Sequence, residues 1–418
     1  MGLRVPPALH HRQFRYLWIG LMISIAGSQM QIWSIFWQIR TLTDQPIALG
    51  AVGLARILPI IVFSLIGGAL ADTVNRRKLL FVTQSVMALS ALALALLTMT
   101  GQIQLWHIYL LTAIQAFAIA FDTPARQSLV PNLVPARDLP NAFSLNSIAF
   151  QTGAIIGPAL SGLVIAYWGQ AYTYILNAIS YGAVILALVL IGQVKQQKIP
   201  GEQNRVSLAA IKEGIHFILN QPIILSTMLI DFFATFFSSA NTLMPIFARD
   251  VLNVGVVQYG WLSAAQSIGA VSAALVISQL KEIRRQGPVF LWSVIVFGLA
   301  TIAFGLSKTF LMAMLALIFV GAADSVSTII RNTIRQLQTP DYIRGRMTSI
   351  NQIFFMGGPQ LGEMEAGIVA QMFGAVFAVV SGGVGCIVAV TWIMRRWPQL
   401  RRYNGDEPVL AGANAVAD

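Results

Sequence analysis

The chain has 418 residues, of which 56% are hydrophobic and only 10% are charged, and its mean hydropathy is +0.71. Soluble domains carry roughly 25% charged residues, and disordered chains need low hydrophobicity, so both classes are excluded. The single cysteine, Cys386, excludes an intrachain disulfide and a cysteine-based metal site. The composition therefore predicts an all-α integral membrane protein with many spans, each of about 20 apolar residues.

Twelve apolar stretches occur along the chain in two groups of six, and none shows the alternation of a strand. The first group comprises 16–38, 48–70, 79–100, 104–121, 142–167 and 171–193. The second group comprises 222–247, 257–280, 288–306, 309–330, 347–372 and 374–394. We predict twelve transmembrane helices in two six-helix bundles, with the domains 1–193, linker 194–221, 222–394 and cytoplasmic tail 395–418.

The second part of the linker places four apolar residues on one helical face: Leu208, Ile211, Ile215 and Ile218. This spacing predicts an amphipathic helix that lies on the inner membrane surface. A plain helical extension of the seventh span fits the same pattern, so both interpretations stay open.

The formal net charge of +11 comes from 27 Lys and Arg against 16 Asp and Glu. In a soluble domain this excess would suggest nucleic acid as a partner. If the N-terminus is cytoplasmic, 23 of the 27 basic residues fall in cytoplasmic segments, and only Arg40, Arg249 and Lys308 fall on the opposite side. The positive-inside rule then predicts cytoplasmic termini and a lipid bilayer, not nucleic acid, as the surroundings.

The two halves resemble each other at an offset of 205 residues. Residues 135–169 align without gaps on 340–374 with ten identities in 35 positions, which include Asn146 with Asn351 and four glycine pairs. Arg126 and Arg331 keep the same offset upstream. Glycine in a transmembrane helix permits close helix contact, so we infer a parallel repeat with its axis along the membrane normal.

The loop after the second span reads Gly68-Ala-Leu-Ala-Asp72-Thr-Val-Asn-Arg76-Arg77-Lys78. It resembles the loop signature of the major facilitator superfamily, G-x-L-A-D-x-x-G-R-R-[KR]. Asn75 stands where the family has glycine, and because asparagine also tolerates a left-handed backbone we expect the turn to persist. A merely topogenic basic loop would explain the arginines but not Asp72.

The following loop, Asp122 to Pro135, contains Arg126, and spans five and eleven contain Gly157-Pro158 and Gly358-Pro359. Together these stretches resemble the branch of the superfamily that includes the enterobactin exporter and many bacterial drug efflux proteins. The resemblance implies location in the inner (plasma) membrane and export driven by proton antiport. We therefore expect no cofactor beyond the proton gradient, a small-molecule substrate and a monomer.

The resemblance also implies an inner gate. In the superfamily the loop aspartate faces the start of span eleven and nearby basic residues, so Asp72 with Arg126 should close the cytoplasmic side. The residues of this gate and its loop motif are Gly68, Asp72, Arg76, Arg77, Asp122 and Arg126.

A charged residue inside a predicted span costs ~2.5–3.5 kcal/mol or more, and we single out four: Arg56, Asp231, Glu363 and Glu365. A structural ion pair is the alternative role for each. Asp231, about ten residues into span seven, is our candidate proton carrier, and a packing hydrogen bond is a further alternative. Arg56 and Glu363 lie at matching depths, so they predict an outer gate. Glu365 is the second candidate partner, and pairing of Arg56 within its own bundle is the alternative.

Other signals are weaker. Met30, Trp33 and Trp37 in span one are candidates to line a substrate cavity, although such spacing also fits packing. No metal-ligand spacing stands out, and no G-x-x-x-x-G-K-[ST] loop suggests an ATP-driven pump.

We predict a proton-coupled exporter of a small amphipathic drug or siderophore. The alternatives are a lipid or lysophospholipid transporter and, in another class, a membrane enzyme or receptor.

Overall fold

The computed structural model describes residues 6–194, 208–238, 240–280 and 283–405, and within these ranges the regular structure is helical. The first half contains α1 Arg12–Leu42, α2 Pro46–Thr73, α3 Arg76–Met99, α4 Leu105–Leu129, α5 Leu139–Trp168 and α6 Gln170–Ile191. The second half contains α7 Leu208–Leu219, α8 Pro222–Phe237, α9 Val256–Ser278, α10 Gln286–Gly305, α11 Phe310–Leu337, α12 Asp341–Phe373 and α13 Ala375–Arg396.

Within the described ranges, eleven helices are long and apolar enough to cross a membrane. The predicted eleventh span corresponds to α12, a helix of 33 residues that is not among those eleven. The prediction of an all-helical, multi-span membrane fold is confirmed, and the number twelve is consistent with eleven spans together with α12.

Two compact units divide the chain. The first unit comprises Met1–Arg205 with Ala248–Ala264, and the second comprises Val206–Phe247 with Ala265–Asp418. Residues 248–264, which our predicted boundaries place in the second bundle, thus group with the first unit. Their contacts explain why: Asp250 forms an ion pair with Arg40 of α1 at 2.8 Å, and the Tyr259 hydroxyl donates a hydrogen bond to the Trp33 carbonyl at 2.7 Å.

Each unit repeats the same set of helix neighbours. In the first unit α1 packs on α5 and α6, and α3 packs on α4 and α6; in the second, α8 packs on α12 and α13, and α10 packs on α11 and α13. These five helices of the second unit, α8 and α10 to α13, therefore have the same neighbours as their repeat counterparts in the first. The repeat inferred from the sequence therefore holds for the packing inside each unit.

Two pairs of glycines show why glycine recurs at matching positions of the two units. Gly169 and Gly374 end α5 and α12 with φ of +93° and +90°, a region that favours glycine. Gly153 and Gly358 instead allow close approach, because an added Cβ would lie 2.7 Å from the Ile25 side chain and 2.4 Å from the Thr235 side chain. The repeat thus preserves one turn and one helix contact in both units.

The linker helix α7 is separate from the seventh span. It ends at Leu219, and α8 begins at Pro222, where proline suits the first turn of a helix. Ile218 is buried with Met347 and Ile350 of α12, whereas Ile215 is exposed. α7 and α8 are therefore separate helices. The side chains of Leu208 and Ile211 lie outside the described residues, so an amphipathic face on the inner membrane surface stays a prediction.

We expect Gly157→Ala to destabilise the protein, because the added Cβ would lie 2.5 Å from the Cβ of Gln29 and 2.7 Å from the Ala26 carbonyl oxygen. Overpacking of this kind costs about 1–3 kcal/mol. Gly182→Ala is the matched control, since no heavy atom lies within 4 Å of the added Cβ. Thermal unfolding of the purified protein should show a lower midpoint for Gly157→Ala only, and equal midpoints would contradict the close helix contact.

Candidate substrate cavity and buried charge cluster

A cavity of about 760 Å³ lies within the first unit, among α1, α3, α4, α5 and α6. Cavities that hold drug-sized ligands have about 300–1,000 Å³. Its walls are apolar at Leu21, Ile25, Met87 and Phe143, among others, and its polar lining comprises Ser24, Ser28, Gln29, Gln84, Asp122, Arg126, Gln127, Asn146, Ser147, Gln151 and Tyr181. This mixture suits an amphipathic small molecule.

The positions of the lining residues along their helices show towards which end of the unit the cavity lies. The lining residues of α3 and α5 lie in the first half of each helix, those of α4 lie in the last half, and those of α1 run from Leu21 to Gln29, just past its middle. Because consecutive helices run in opposite directions, these halves meet at the end of the unit where α1 begins. The cavity is therefore near the end that the charge bias assigns to the cytoplasm.

Asp122 and Arg126 were predicted in a loop, but both lie in α4, which continues to Leu129. Asp122 is buried, and its Oδ1 accepts hydrogen bonds from Thr83 at 3.0 Å and from Gln84 at 2.8 Å. Its Oδ2 lies 3.7 Å from Nη2 of Arg126, one helical turn onward. The apolar stretch ends near 121, and this end of the hydropathy signal explains why the sequence suggested a loop there.

The predicted loop motif is anchored to neighbouring helices. Arg76 donates hydrogen bonds to the Ser128 carbonyl and to Asn132, and Arg77 donates one to the Leu188 carbonyl at 2.6 Å. Asn75 has φ of −67° and accepts a hydrogen bond from the Lys78 amide, so it caps α3 and does not adopt the left-handed conformation we expected. Helix capping is a common role of asparagine and replaces the glycine turn.

Two further members of the predicted inner gate, Gly68 and Asp72, lie in α2. Gly68 lies in α2 with no heavy atom within 4 Å of an added Cβ, whereas at the adjacent Gly67 a Cβ would lie 2.3 Å from the Ala120 carbonyl oxygen. The close approach of α2 to α4 therefore depends on Gly67. The side chain of Asp72 lies outside the described residues, so the gate role stays a prediction.

The second unit buries a charge cluster around Asp231. Asp231 Oδ1 lies 2.9 Å from Nη2 of Arg331, and Oδ2 lies 3.4 Å from Nη2 of Arg335. All three residues are buried. A carboxylate buried away from water is stabilised only by such partners, and the two arginines supply them. Asp231 is thus an ion-paired acid, and the site has two cations that we had placed in a cytoplasmic loop.

Further contacts hold both arginines in place. Arg335 donates hydrogen bonds to the hydroxyl and the carbonyl of Thr227, and Arg331 donates one to Ser327 at 3.0 Å. Nη1 of Arg331 also lies 3.6 Å from Oδ1 of Asp324, so two acids and two arginines make the cluster formally neutral. Asp324 lies in the middle of α11, and 46% of its side-chain surface is accessible.

Helical spacing contained a signal for this cluster that our sequence analysis missed. Positions 324, 327, 331 and 335 recur at intervals of three and four and therefore share one face of α11. Arg331 and Arg335 are near the end of that helix, so their long side chains can extend inward to Asp231. We counted them as cytoplasmic charges because the apolar stretch ends near residue 330.

The predicted cavity residues of span one have packing contacts. Trp33 and Trp37 lie against the Tyr259 ring, at centroid distances of 6.2 and 4.9 Å, and Met30 is buried. None of the three is in the lining of the described cavity, to which α1 contributes residues 21–29. Along α1 the lining of the cavity ends at Gln29, before Met30, Trp33 and Trp37. The packing alternative accounts for the contacts of these three side chains.

The predicted outer-gate residues occupy different environments. Arg56 lies in α2 and is half-buried, Glu363 in α12 is buried, and Glu365 in α12 is half-buried. No grouping of three or more potential metal ligands occurs among the described residues.

A helical protein with this many spans, an internal repeat and a cavity belongs to the class of membrane transporters. The chain matches the family described as transmembrane secretion effector over residues 6–407. It belongs to this family of the major facilitator superfamily and is a multi-pass transporter of the bacterial inner membrane.

Similarity to known relatives extends along almost the whole chain. The enterobactin exporter EntS of Citrobacter koseri is 26% identical over 403 residues, which are 96% of each chain. EntS of Escherichia coli strain SMS-3-5 / SECEC is 26% identical over 408 residues, 97% of this chain and 96% of its own. The resemblance to this branch of the superfamily, predicted from the motifs, is confirmed.

Solved structures share the fold at low sequence identity. The nucleoside transporter NupG superposes with a TM-score of 0.73 at 14% identity, covering 94% of this chain and 100% of that chain. A bacterial homologue of the human lysosomal transporter Spinster, inward-facing and unoccupied, superposes with a TM-score of 0.70 at 14% identity, covering 94% and 97% of the two chains.

We expect Asp231→Ala to destabilise the protein far more than Asp324→Ala. Removal of one partner from a buried ion pair costs about 3–5 kcal/mol, because the remaining charges are left uncompensated. Asp324 is partly accessible, so its loss should cost about 1 kcal/mol or less. Thermal unfolding of both variants measures the difference, and Asp231→Ala combined with Arg331→Met should recover part of it. Equal losses for the two acids would contradict the role of Asp231 as the centre of the cluster.

Proposed function

We propose that this protein exports a small amphipathic molecule, a drug or a siderophore, in exchange for protons. The observation that carries the proposal is the pairing of one buried carboxylate, Asp231, with two buried arginines. The relatives named enterobactin exporter support the direction of transport, and the cavity in the first unit is the candidate substrate site. The working protein needs no cofactor, acts as a monomer and has both termini in the cytoplasm.

The charge balance supplies a coupling mechanism. While Asp231 is ionised, the four charges of the cluster cancel. A proton on Asp231 leaves an excess positive charge on Arg331 and Arg335 in a buried site, which is costly until the arginines gain water or another acceptor. Protonation therefore favours a conformation in which α8 and α11 no longer hold the cluster closed, and deprotonation favours the closed one.

Asp324 gives the proton a route. It is the accessible member of the cluster, and its carboxylate lies 3.6 Å from the same arginine that holds Asp231. A proton can reach Asp324 first and then pass to Asp231 through water. Asp324 accordingly controls the rate of proton exchange, and Asp231 controls whether the proton changes the conformation.

Asp231→Asn should abolish export driven by a pH gradient while leaving downhill exchange of the same compound intact. Proteoliposomes can be tested with enterobactin and with a panel of fluorescent dyes. Asp44→Asn, on an exposed loop residue, is the control and should retain coupling. Gradient-driven export that persists in Asp231→Asn would refute the proton-carrier role. Movement of lipid with no movement of any dye or siderophore would favour the lipid-transporter alternative.

Two gates complete the proposal. The inner gate comprises Asp72 and Arg126 with the loop motif between α2 and α3. The outer gate pairs Arg56 with Glu363, whose burial makes an ionised carboxylate costly unless it is paired. Glu365, half-buried on another face of the same helix, is the second candidate.

Charge reversal tests the outer gate. Arg56→Glu and Glu363→Arg should each reduce export, and the double exchange should restore it, because the pair would then form with opposite polarity. The same exchange with Glu365→Arg serves as the comparison. Failure of both double exchanges, in proteins that reach the membrane folded, would rule out this gate.

A further inference from the structure

The cavity presents an arginine whose hydrogen-bonding capacity is almost unused. Arg126 lines the cavity, and 29% of its side chain is exposed. Among the described residues its only charged contact is Asp122, at 3.7 Å, which is beyond hydrogen-bond distance. A guanidinium carries five N–H donors in a planar fork that fits a carboxylate or a similar anion in a bidentate manner.

Asp122 lies beside Arg126 in the cavity lining but is much less exposed, since 4% of its side chain is accessible against 29% for Arg126. Thr83 and Gln84 donate hydrogen bonds to Oδ1 of Asp122. These two donors stabilise its negative charge from the side of α3. A molecule in the cavity therefore meets more of the guanidinium of Arg126 than of the carboxylate of Asp122.

The rest of the lining offers neutral polar groups on an apolar wall. Gln29, Gln127, Asn146 and Gln151 line the cavity, and none forms a side-chain hydrogen bond within the described part of the chain. Each amide offers donors and an acceptor to a ligand. The site thus combines one cation, several free amides and aliphatic or aromatic surface.

The repeat shows how different the two units have become at this position. Arg331, the counterpart of Arg126, contacts Asp231, Asp324 and Ser327. At the 205-residue offset Ser327 corresponds to Asp122, and the helix that corresponds to α8 is α1, which contains no acidic residue. The first unit therefore lacks an acid placed as Asp231 is, 2.9 Å from its arginine, and among the described residues most N–H donors of Arg126 are unused.

We propose that the cavity selects amphipathic molecules with an anionic group, such as a carboxylate or sulfonate, which Arg126 holds while the free amides bind neutral polar groups. This inference rests on the proposed export function and names its substrate class. Cationic amphiphiles of the same shape are disfavoured, because they would place a positive charge against the guanidinium.

Binding of three matched probes to the full-length protein in amphipol tests the charge preference: 4-octylbenzoate, 4-octylbenzamide and 4-octylbenzylamine. Equilibrium dialysis should give benzoate an affinity at least tenfold above that of the benzylamine. Arg126→Gln should weaken benzoate binding about tenfold and change benzamide binding less than twofold, since only the anion loses a charge-assisted pair. Arg126→Lys should retain part of the preference.

Arg137→Gln is the matched control, because it removes the same charge from a side chain that is 84% exposed and outside the cavity. It should leave all three affinities unchanged. A merely structural role of Arg126 would weaken the three probes together, and an unchanged ratio in Arg126→Gln, or preference for the amine, would overturn the inference.

The binding measurement needs no proton gradient, so it separates this inference from the proposed coupling. Loss of the preference with coupled export intact would overturn the substrate class alone, whereas loss of coupling with the preference intact would overturn only the proton-antiport function.

Discussion

Neutralisation of charge inside an apolar medium is the constraint on which the second unit is built. Asp231 is buried, and two arginines from α11 lie within 3.4 Å of its carboxylate oxygens. Thr227 and Ser327 then fix the guanidinium groups. Because removal of any one charge leaves another unpaired, the packing of α8 against α11 depends on all three of these charged side chains.

The fold was accessible from the sequence because its signals are long and redundant. Apolar stretches, charge bias and the 205-residue repeat all indicate the same architecture, and repeat glycines such as Gly169 and Gly374 preserve the same backbone conformation. Residues 248–264 are the exception. Their grouping with the first unit depends on specific contacts, such as Arg40 with Asp250, and hydropathy contains no such information.

The candidate site could be predicted only in part. The cost of an intramembrane acid identified Asp231, but hydropathy ended the predicted helices near residues 121 and 330 and so placed the arginines outside the membrane. Long side chains allow a charge to lie several ångströms from its own Cα, and a hydropathy window does not represent this reach. Residue type alone did not decide between a cavity wall and packing at Trp33 and Trp37, and the structure places both against the Tyr259 ring.

Among the described residues, those that line the cavity belong to the first unit, and those of the charge cluster around Asp231 belong to the second. This separation has an evolutionary consequence. Under the proposed function, substitutions at positions such as Gln29 or Asn146 change the compounds that a descendant recognises without disturbing the ion pairs of the other unit. Two duplicated units with separate proposed roles would then allow the substrate to change in evolution while proton coupling is retained.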